Sequence, residues 1–154
     1  MQSHLAEYLG RLHPLFVHFP IAFLLGAGLV EIIALLRRKA LGGPAASAML
    51  ICALVGSLVA VPLGWLNAST SNHPGAEKLV EYHRWAGVAT LAITVVALGL
   101  MIWLKNSRTR VLATIYLVVL LLAVGAAIIT AHWGGEIIYG EGYFSYAGAS
   151  EEIE

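Results

Sequence analysis

The run from Leu15 to Leu36 constrains this chain more than any other stretch, because it is apolar and long enough to cross a bilayer. A helix of about 20 apolar residues spans the hydrocarbon core, and Glu31 is the only Asp, Glu, Lys or Arg residue in this run. Three further runs share this character. The sequence therefore predicts four transmembrane helices, at about 14–36, 48–66, 79–104 and 111–133.

The composition agrees with a membrane protein. The chain is 59% hydrophobic and 12% charged, with a mean hydropathy of +0.81, whereas soluble domains carry about 25% charged residues. The lipid bilayer is therefore expected to be its main partner. The net charge is zero, so nothing indicates a nucleic-acid partner. The single cysteine, Cys52, excludes an internal disulfide, a thiol-rich metal site and a C-x-x-C-H haem attachment motif.

The loops between the predicted helices are short, which favours antiparallel neighbours. The predicted fold is an all-α integral membrane protein, a single domain over 1–154 forming a four-helix up-down bundle. Gly134-Gly135 is expected to end the fourth helix, before an acidic tail at 136–154. The N-terminus carries Glu7 and Arg11 rather than a basic cluster, so the first span is interpreted as retained and not as a cleaved signal.

Basic residues predict the orientation. Six of the nine lie in two short loops that contain no acidic residue: Arg37, Arg38, Lys39, Lys105, Arg108 and Arg110. Cytoplasmic loops of membrane proteins are enriched in Lys and Arg. The expected location is therefore the bacterial inner membrane, as a multi-pass protein with both termini outside the cytoplasm.

All six histidines then fall at the outer end of the bundle. Three of them reach one layer from three different helices: His18 near the start of span one, His83 in span three and His132 at the end of span four. Ionisable side chains inside a membrane commonly mark functional sites. His4 and His73 are interpreted as surface or capping residues, and helix capping is the alternative for the other histidines.

The leading hypothesis is a b-type cytochrome-like electron carrier, with His18 and His83 as axial ligands of haem b. Spans one and three should lie diagonally across the core. The macrocycle needs small residues one and two turns from each ligand, and Ala22, Gly26 and Gly87 have that spacing.

Other residues complete this hypothesis. His132 and His13 are reserve ligands, and a second haem could use them. Arg11, Arg84 and Lys78 could bind the haem propionates at the outer surface. A redox partner or a larger membrane complex would exchange electrons with the site.

Two other functions are open. His18, His83 and His132 could bind a non-haem metal, with Glu81 or Glu136 nearby, since imidazole suits several metals. Alternatively, the chain could be a cofactor-free accessory subunit of a respiratory or photosynthetic complex. It would then pack through the stripe Gly56, Ala60 and Gly64, although packing within the bundle is the simpler interpretation. An electron-transfer or accessory role is favoured over a stand-alone enzyme.

Glu31 lies toward the inner end of span one, less than two turns before Arg37. It is expected to extend toward the interface or to pair with the basic cluster there.

Leu12-His13-Pro14 and Val17-His18-Phe19-Pro20-Ile21-Ala22 resemble the opening of a family of small bacterial membrane proteins known as domain of unknown function 2231. His83-Arg84-Trp85-Ala86-Gly87 and the Gly-Gly pair followed by Tyr139-Gly140 are similar to that family too, so the resemblance extends from about Leu12 to Gly142. It implies a four-span bundle and no settled activity. Its members are regarded as possible haem-binding or redox-associated proteins.

Overall fold

A computed structural model gives the fold of residues 2–107, 109–140 and 142–143. Arg108 and most of the predicted acidic tail, namely Glu141 and residues 144–154, lie outside the described residues. The elements are α1 (Gln2–Gly10), α2 (His13–Phe16), α3 (His18–Leu36), α4 (Pro44–Thr70), α5 (Glu77–Ser107) and α6 (Arg110–Tyr139).

Four stretches of the described chain are long and apolar enough to cross a membrane, as predicted: His4–Leu36, Pro44–Thr70, Glu77–Ser107 and Arg110–Tyr139. They extend beyond the predicted bounds, because the helices continue through polar residues past the ends of the apolar runs. The prediction that Gly134-Gly135 ends the fourth helix was wrong, since α6 continues to Tyr139. Glycine is tolerated inside a helix where another group approaches closely, and the His83 ring lies against Gly134.

The four long helices form a bundle in which α3 and α5 are diagonal. Each of these two helices packs against both α4 and α6. The core between them is made mainly of leucine and alanine, with Leu24, Leu50 and Leu120 fully buried. The end that carries His13 and His83 is called the histidine end below, and the opposite end, with the turns after α3 and α5, is called the loop end.

The first span is interrupted at Val17, between α2 and α3. Pro20 has no N–H group, so it cannot donate to the carbonyl of Phe16, four residues earlier in the chain. Pro20 therefore favours an interruption of the helix near this point, and the break lies one residue before His18. Pro14 occupies the first turn of α2, which is the position that tolerates proline best.

The second helical hairpin repeats the first. His13 contacts the carbonyl of Ala60, and His83 contacts that of Thr130, each across 47 residues. Nine pairs of buried residues also differ by 70 in residue number: Pro20 and Thr90, Leu24 and Thr94, Ala27 and Ala97, Glu31 and Met101, Gly42 and Leu112, Ala46 and Tyr116, Leu50 and Leu120, Ala53 and Ala123, and Ser57 and Ala127. With diagonal helices equivalent, the two hairpins are related by an approximate twofold axis along the bundle.

Glu31 corrects another expectation. It is fully buried and makes no ion pair with the basic cluster. Its Oε1 accepts hydrogen bonds from the backbone N–H of Gly42 and the hydroxyl of Tyr116, both at 2.8 Å. Glu31 therefore points into the bundle, where it ties the turn after α3 to α6. Its Oε2 has no hydrogen-bond partner among the described residues.

Candidate functional site

Two histidine rings meet near the centre of the histidine end. The ring centroids of His13 and His83 are 5.9 Å apart, and the ring planes are inclined at 80°. One ring comes from α2, at the start of the first span, and the other from α5, which lies diagonally opposite. The bundle thus brings together two imidazoles that are far apart in sequence.

Each ring is held by a hydrogen bond to a neighbouring helix. The Nδ1 of His13 lies 2.9 Å from the carbonyl oxygen of Ala60, and the Nδ1 of His83 lies 2.9 Å from that of Thr130. A carbonyl oxygen can only accept, so both Nδ1 atoms must carry the proton. In the neutral ring the Nε2 atom then has a free lone pair. Histidine ligands of metals are commonly oriented by such a bond from the other ring nitrogen.

A glycine gives each ring its space. A Cβ atom added at Gly64 would lie 2.7 Å from Cε1 of His13, and one at Gly134 would lie 3.0 Å from Cε1 of His83. Both distances are shorter than an ordinary carbon–carbon contact of about 3.5–4.0 Å. The two rings can therefore occupy these positions only because glycine is opposite each of them.

The histidine pair lines a cavity of about 490 Å³, which is called the histidine cavity below. This volume lies within the range of about 300–1,000 Å³ that is usual for ligand sites. Its wall is mostly apolar and includes Pro20, Ile21 and Val61. The polar residues that line it are His13, His18, Ser57, Asn67, His73, His83, Arg84, Thr90, Thr130 and Tyr139.

Among the described residues that line this cavity, Arg84 is the one Lys or Arg. Its guanidinium carbon lies 3.7 Å from the ring centroid of Trp65, a cation–π contact. Its Nε atom is buried and has no hydrogen-bond partner in the described part of the chain. The guanidinium thus stacks on an aromatic ring but is not neutralised by a described carboxylate.

The four histidines predicted as ligands or reserve ligands do not all lie at the same place. His83 is at the centre of the site, and its partner is His13 rather than His18. Residues 13 and 18 would be turned by about 140° around a regular helix of 3.6 residues per turn, the break at Val17 lies between them, and the ring that contacts His83 is that of His13. His18 still lines the histidine cavity. His132 does not line the cavity, and its Nε2 lies 3.5 Å from Oε1 of Glu136.

Of the three small residues predicted to make room for the macrocycle, only one lines the cavity. Gly87 lines the cavity, with open space around it except for Val61. Ala22 is exposed on the outside of the bundle, and Gly26 faces Met49, whose sulfur would lie 3.0 Å from an added Cβ. Arg11 is exposed, pairs with Glu7 at 2.6 Å and is not among the residues that line the cavity. Lys78 is exposed and is not a lining residue either.

The small-residue stripe of α4 packs within the chain. An added Cβ at Gly56 would meet Pro20 at 2.9 Å, and Gly64 faces His13. Ala60, between them, is buried and accepts the hydrogen bond of His13. These residues therefore hold the first span against α4 and do not form an outer surface for another subunit.

Fold and site together define a four-helix membrane bundle with a pair of oriented histidines in a cavity at one end. The family described as "predicted membrane protein (DUF2231)" matches residues 11–144. The chain belongs to this family, and the match includes both histidines, both glycines and Arg84. No curated protein and no solved structure matches the chain.

Proposed function

We propose that this protein binds haem b through His13 and His83 and serves in electron transfer across or along the membrane. The observation that carries the proposal is the pair of imidazoles from diagonal helices, each with Nδ1 bonded to a carbonyl and Nε2 free to coordinate. Two axial histidines from facing helices are what a b-type haem requires of a helical bundle. The haem supplies one-electron chemistry, and the protein tunes it through ligand orientation and burial.

The spacing of the rings supports a metal ion between them. With metal–nitrogen bonds of about 2.0–2.1 Å and about 1.1 Å from each nitrogen to its ring centre, two imidazoles that share one ion have ring centres up to about 6.4 Å apart. The observed separation of 5.9 Å is within about 0.5 Å of that distance. A direct hydrogen bond between the two rings would bring their centres nearer to each other.

The ligand set favours haem over a non-haem metal. Structural zinc sites use four protein ligands and catalytic ones usually three. In the described part of the chain, no group of three or more His, Cys, Asp or Glu residues is placed to hold a metal ion. Haem brings four nitrogen ligands of its own, so two histidines complete its coordination.

The chain's own groups would orient and shield the site. The carbonyls of Ala60 and Thr130 fix both rings, and Gly64 and Gly134 let them seat against the helices. The mostly apolar wall of the cavity would lower the polarity around a bound redox centre. We further propose that the histidine end faces outward from the bacterial inner membrane, because the loop end carries the basic residues.

The proposal is tested by the absorption spectrum of protein purified in mild detergent from cells supplied with a haem precursor. We expect the Soret band and the reduced-state bands of a bis-histidine haem b. His13→Ala and His83→Ala should each abolish them, whereas His18→Ala and the surface control His4→Ala should keep them. A folded wild-type protein that is colourless and takes up no added haem would contradict the proposal. Loss of the spectrum in His18→Ala alone would contradict the choice of His13.

A further inference from the structure

The charge around the histidine pair is one-sided. The two histidines occupy equivalent places in the repeated hairpins, and so do the two glycines behind them. The residue after each histidine breaks this equivalence, because Pro14 follows His13 while Arg84 follows His83. The histidine cavity therefore has a fixed positive charge beside one ring and an uncharged pyrrolidine beside the other.

The surroundings of Arg84 indicate what it is arranged to bind. Its guanidinium is held over Trp65, a contact that orients the group without neutralising it. Its Nε is buried without a partner in the described residues, and no described carboxylate lies within 4 Å of it. A planar guanidinium presents five N–H donors in a fork that matches a carboxylate. Burying such a donor without an acceptor is costly.

We infer that Arg84 receives a carboxylate of the molecule bound in the histidine cavity, and so fixes that molecule on one side of the His13–His83 pair. This inference rests on the proposed function, because the carboxylate would be a haem propionate. Trp65 is then a positioning residue that holds the guanidinium at the cavity wall. The remaining lining is largely apolar, which suits the ring system of the same ligand.

The experiment compares two ligands that differ only in their carboxylates. Haem and its dimethyl ester are titrated into purified, haem-free protein in detergent, and binding is followed by absorbance. We expect the wild type to bind haem at least about tenfold more tightly than the ester. Arg84→Gln should weaken haem binding by about the same factor and leave ester binding unchanged, as a double-mutant cycle requires.

Two further variants keep the result interpretable. Arg84→Lys keeps the charge without the fork, so we expect it to retain part of the preference for haem. Arg110→Gln removes a cation at the loop end and should leave both affinities unchanged. If Arg84→Gln does not fold, Arg84→Lys takes its place: an undiminished preference for haem in Arg84→Lys, or equal binding of haem and ester by the wild type, would overturn the inference.

The outcomes separate this inference from the proposed function. Equal binding of haem and ester by the wild type would overturn the role of Arg84 while leaving the histidine pair in place as ligands. Equal weakening of both compounds in Arg84→Gln would overturn it too, because the residue would then only support the local structure. Binding of neither compound by folded wild-type protein would overturn the proposed function and this inference together.

Discussion

Gly64→Ala tests the contact between the His13 ring and helix α4 by adding a single methyl group at position 64. The added Cβ would lie 2.7 Å from Cε1 and 3.0 Å from Nδ1 of the His13 ring. Carbon atoms in contact are usually about 3.5–4.0 Å apart, so the ring must retreat by about 1 Å. Because Nδ1 is bonded to the carbonyl of Ala60 at 2.9 Å, the ring cannot retreat without weakening that bond.

Two opposing effects set the change in unfolding free energy for Gly64→Ala. Forcing an extra carbon into a packed position costs about 1–3 kcal/mol, while alanine is better than glycine within a helix by about 0.5–1 kcal/mol. Gly64→Ala should therefore lower the free energy of unfolding by about 1 kcal/mol or somewhat more. Gly125→Ala is the matched control, because an added Cβ there has no atom within 4 Å, and it should be neutral or slightly stabilising.

The assay is equilibrium unfolding in detergent micelles, followed by tryptophan fluorescence, for the wild type and three variants. We expect stability to rise in the order Gly64→Ala, Gly134→Ala and Gly125→Ala, since an added Cβ at Gly134 would approach His83 to only 3.0 Å. The affinity for haem should rise in the same order. Equal stability and equal haem binding in Gly64→Ala and Gly125→Ala would refute the reasoning, because His13 would then not be seated against Gly64.

Two further predictions concern the loop end. Glu31→Ala leaves the N–H of Gly42 and the hydroxyl of Tyr116 buried without an acceptor, at about 1–3 kcal/mol each. We expect a loss of about 2–6 kcal/mol of unfolding free energy in the same assay and a clearly smaller loss for Glu31→Gln, which keeps an acceptor oxygen; equal losses would contradict this account. The predicted orientation is checked with alkaline phosphatase fusions, which should be active at the C-terminus and inactive in the loop after α5, and the reverse pattern would refute it.

The membrane fold could be predicted from the sequence because apolar length is a local property. Each of the four spans is visible as an apolar run, and each run became a helix. The ends were harder to predict, because hydropathy marks the apolar part of a helix and not its hydrogen-bonded length. Gly134-Gly135 was wrongly predicted to end the fourth helix. Glycine is needed at position 134 because the ring of His83, on another helix, lies against it, and no local sequence pattern shows such a contact.

The site was predicted in part. Depth in the membrane singled out His83, and spacing along α5 singled out Gly87; both residues line the histidine cavity, while their role as ligand and clearance for haem stays a prediction. Depth also favoured His18 over His13, but which residue faces the axis depends on helix rotation, and Pro20 resets that rotation at Val17. Likewise, the buried position of Glu31 depends on a hydrogen bond from the hydroxyl of Tyr116, which is 85 residues away in sequence.

One signal in the sequence could have identified the pair. His13 and His83, and likewise Gly64 and Gly134, differ by 70 in residue number. Few other identities accompany them, so the repeat is weak until the contacts show that the positions are equivalent. The His-Pro dipeptide at His73 is a more obvious repeat of His13-Pro14, but the spatial counterpart of His13 is His83.

The repeat also explains how the two ends of the bundle differ. Internal repeats in membrane proteins commonly place binding sites at the interface between the two halves, and the histidine pair lies there. At that end the two halves keep the same histidines and glycines, as a single bound group in the proposed site would require. At the loop end Glu31 has Met101 as its counterpart, and Tyr116 has Ala46. A buried carboxylate and its hydroxyl donor thus occupy one half each, and their hydrogen bond joins the two hairpins. The symmetric positions therefore carry the proposed cofactor site, and the departures from symmetry carry the polar contacts that lock the halves together.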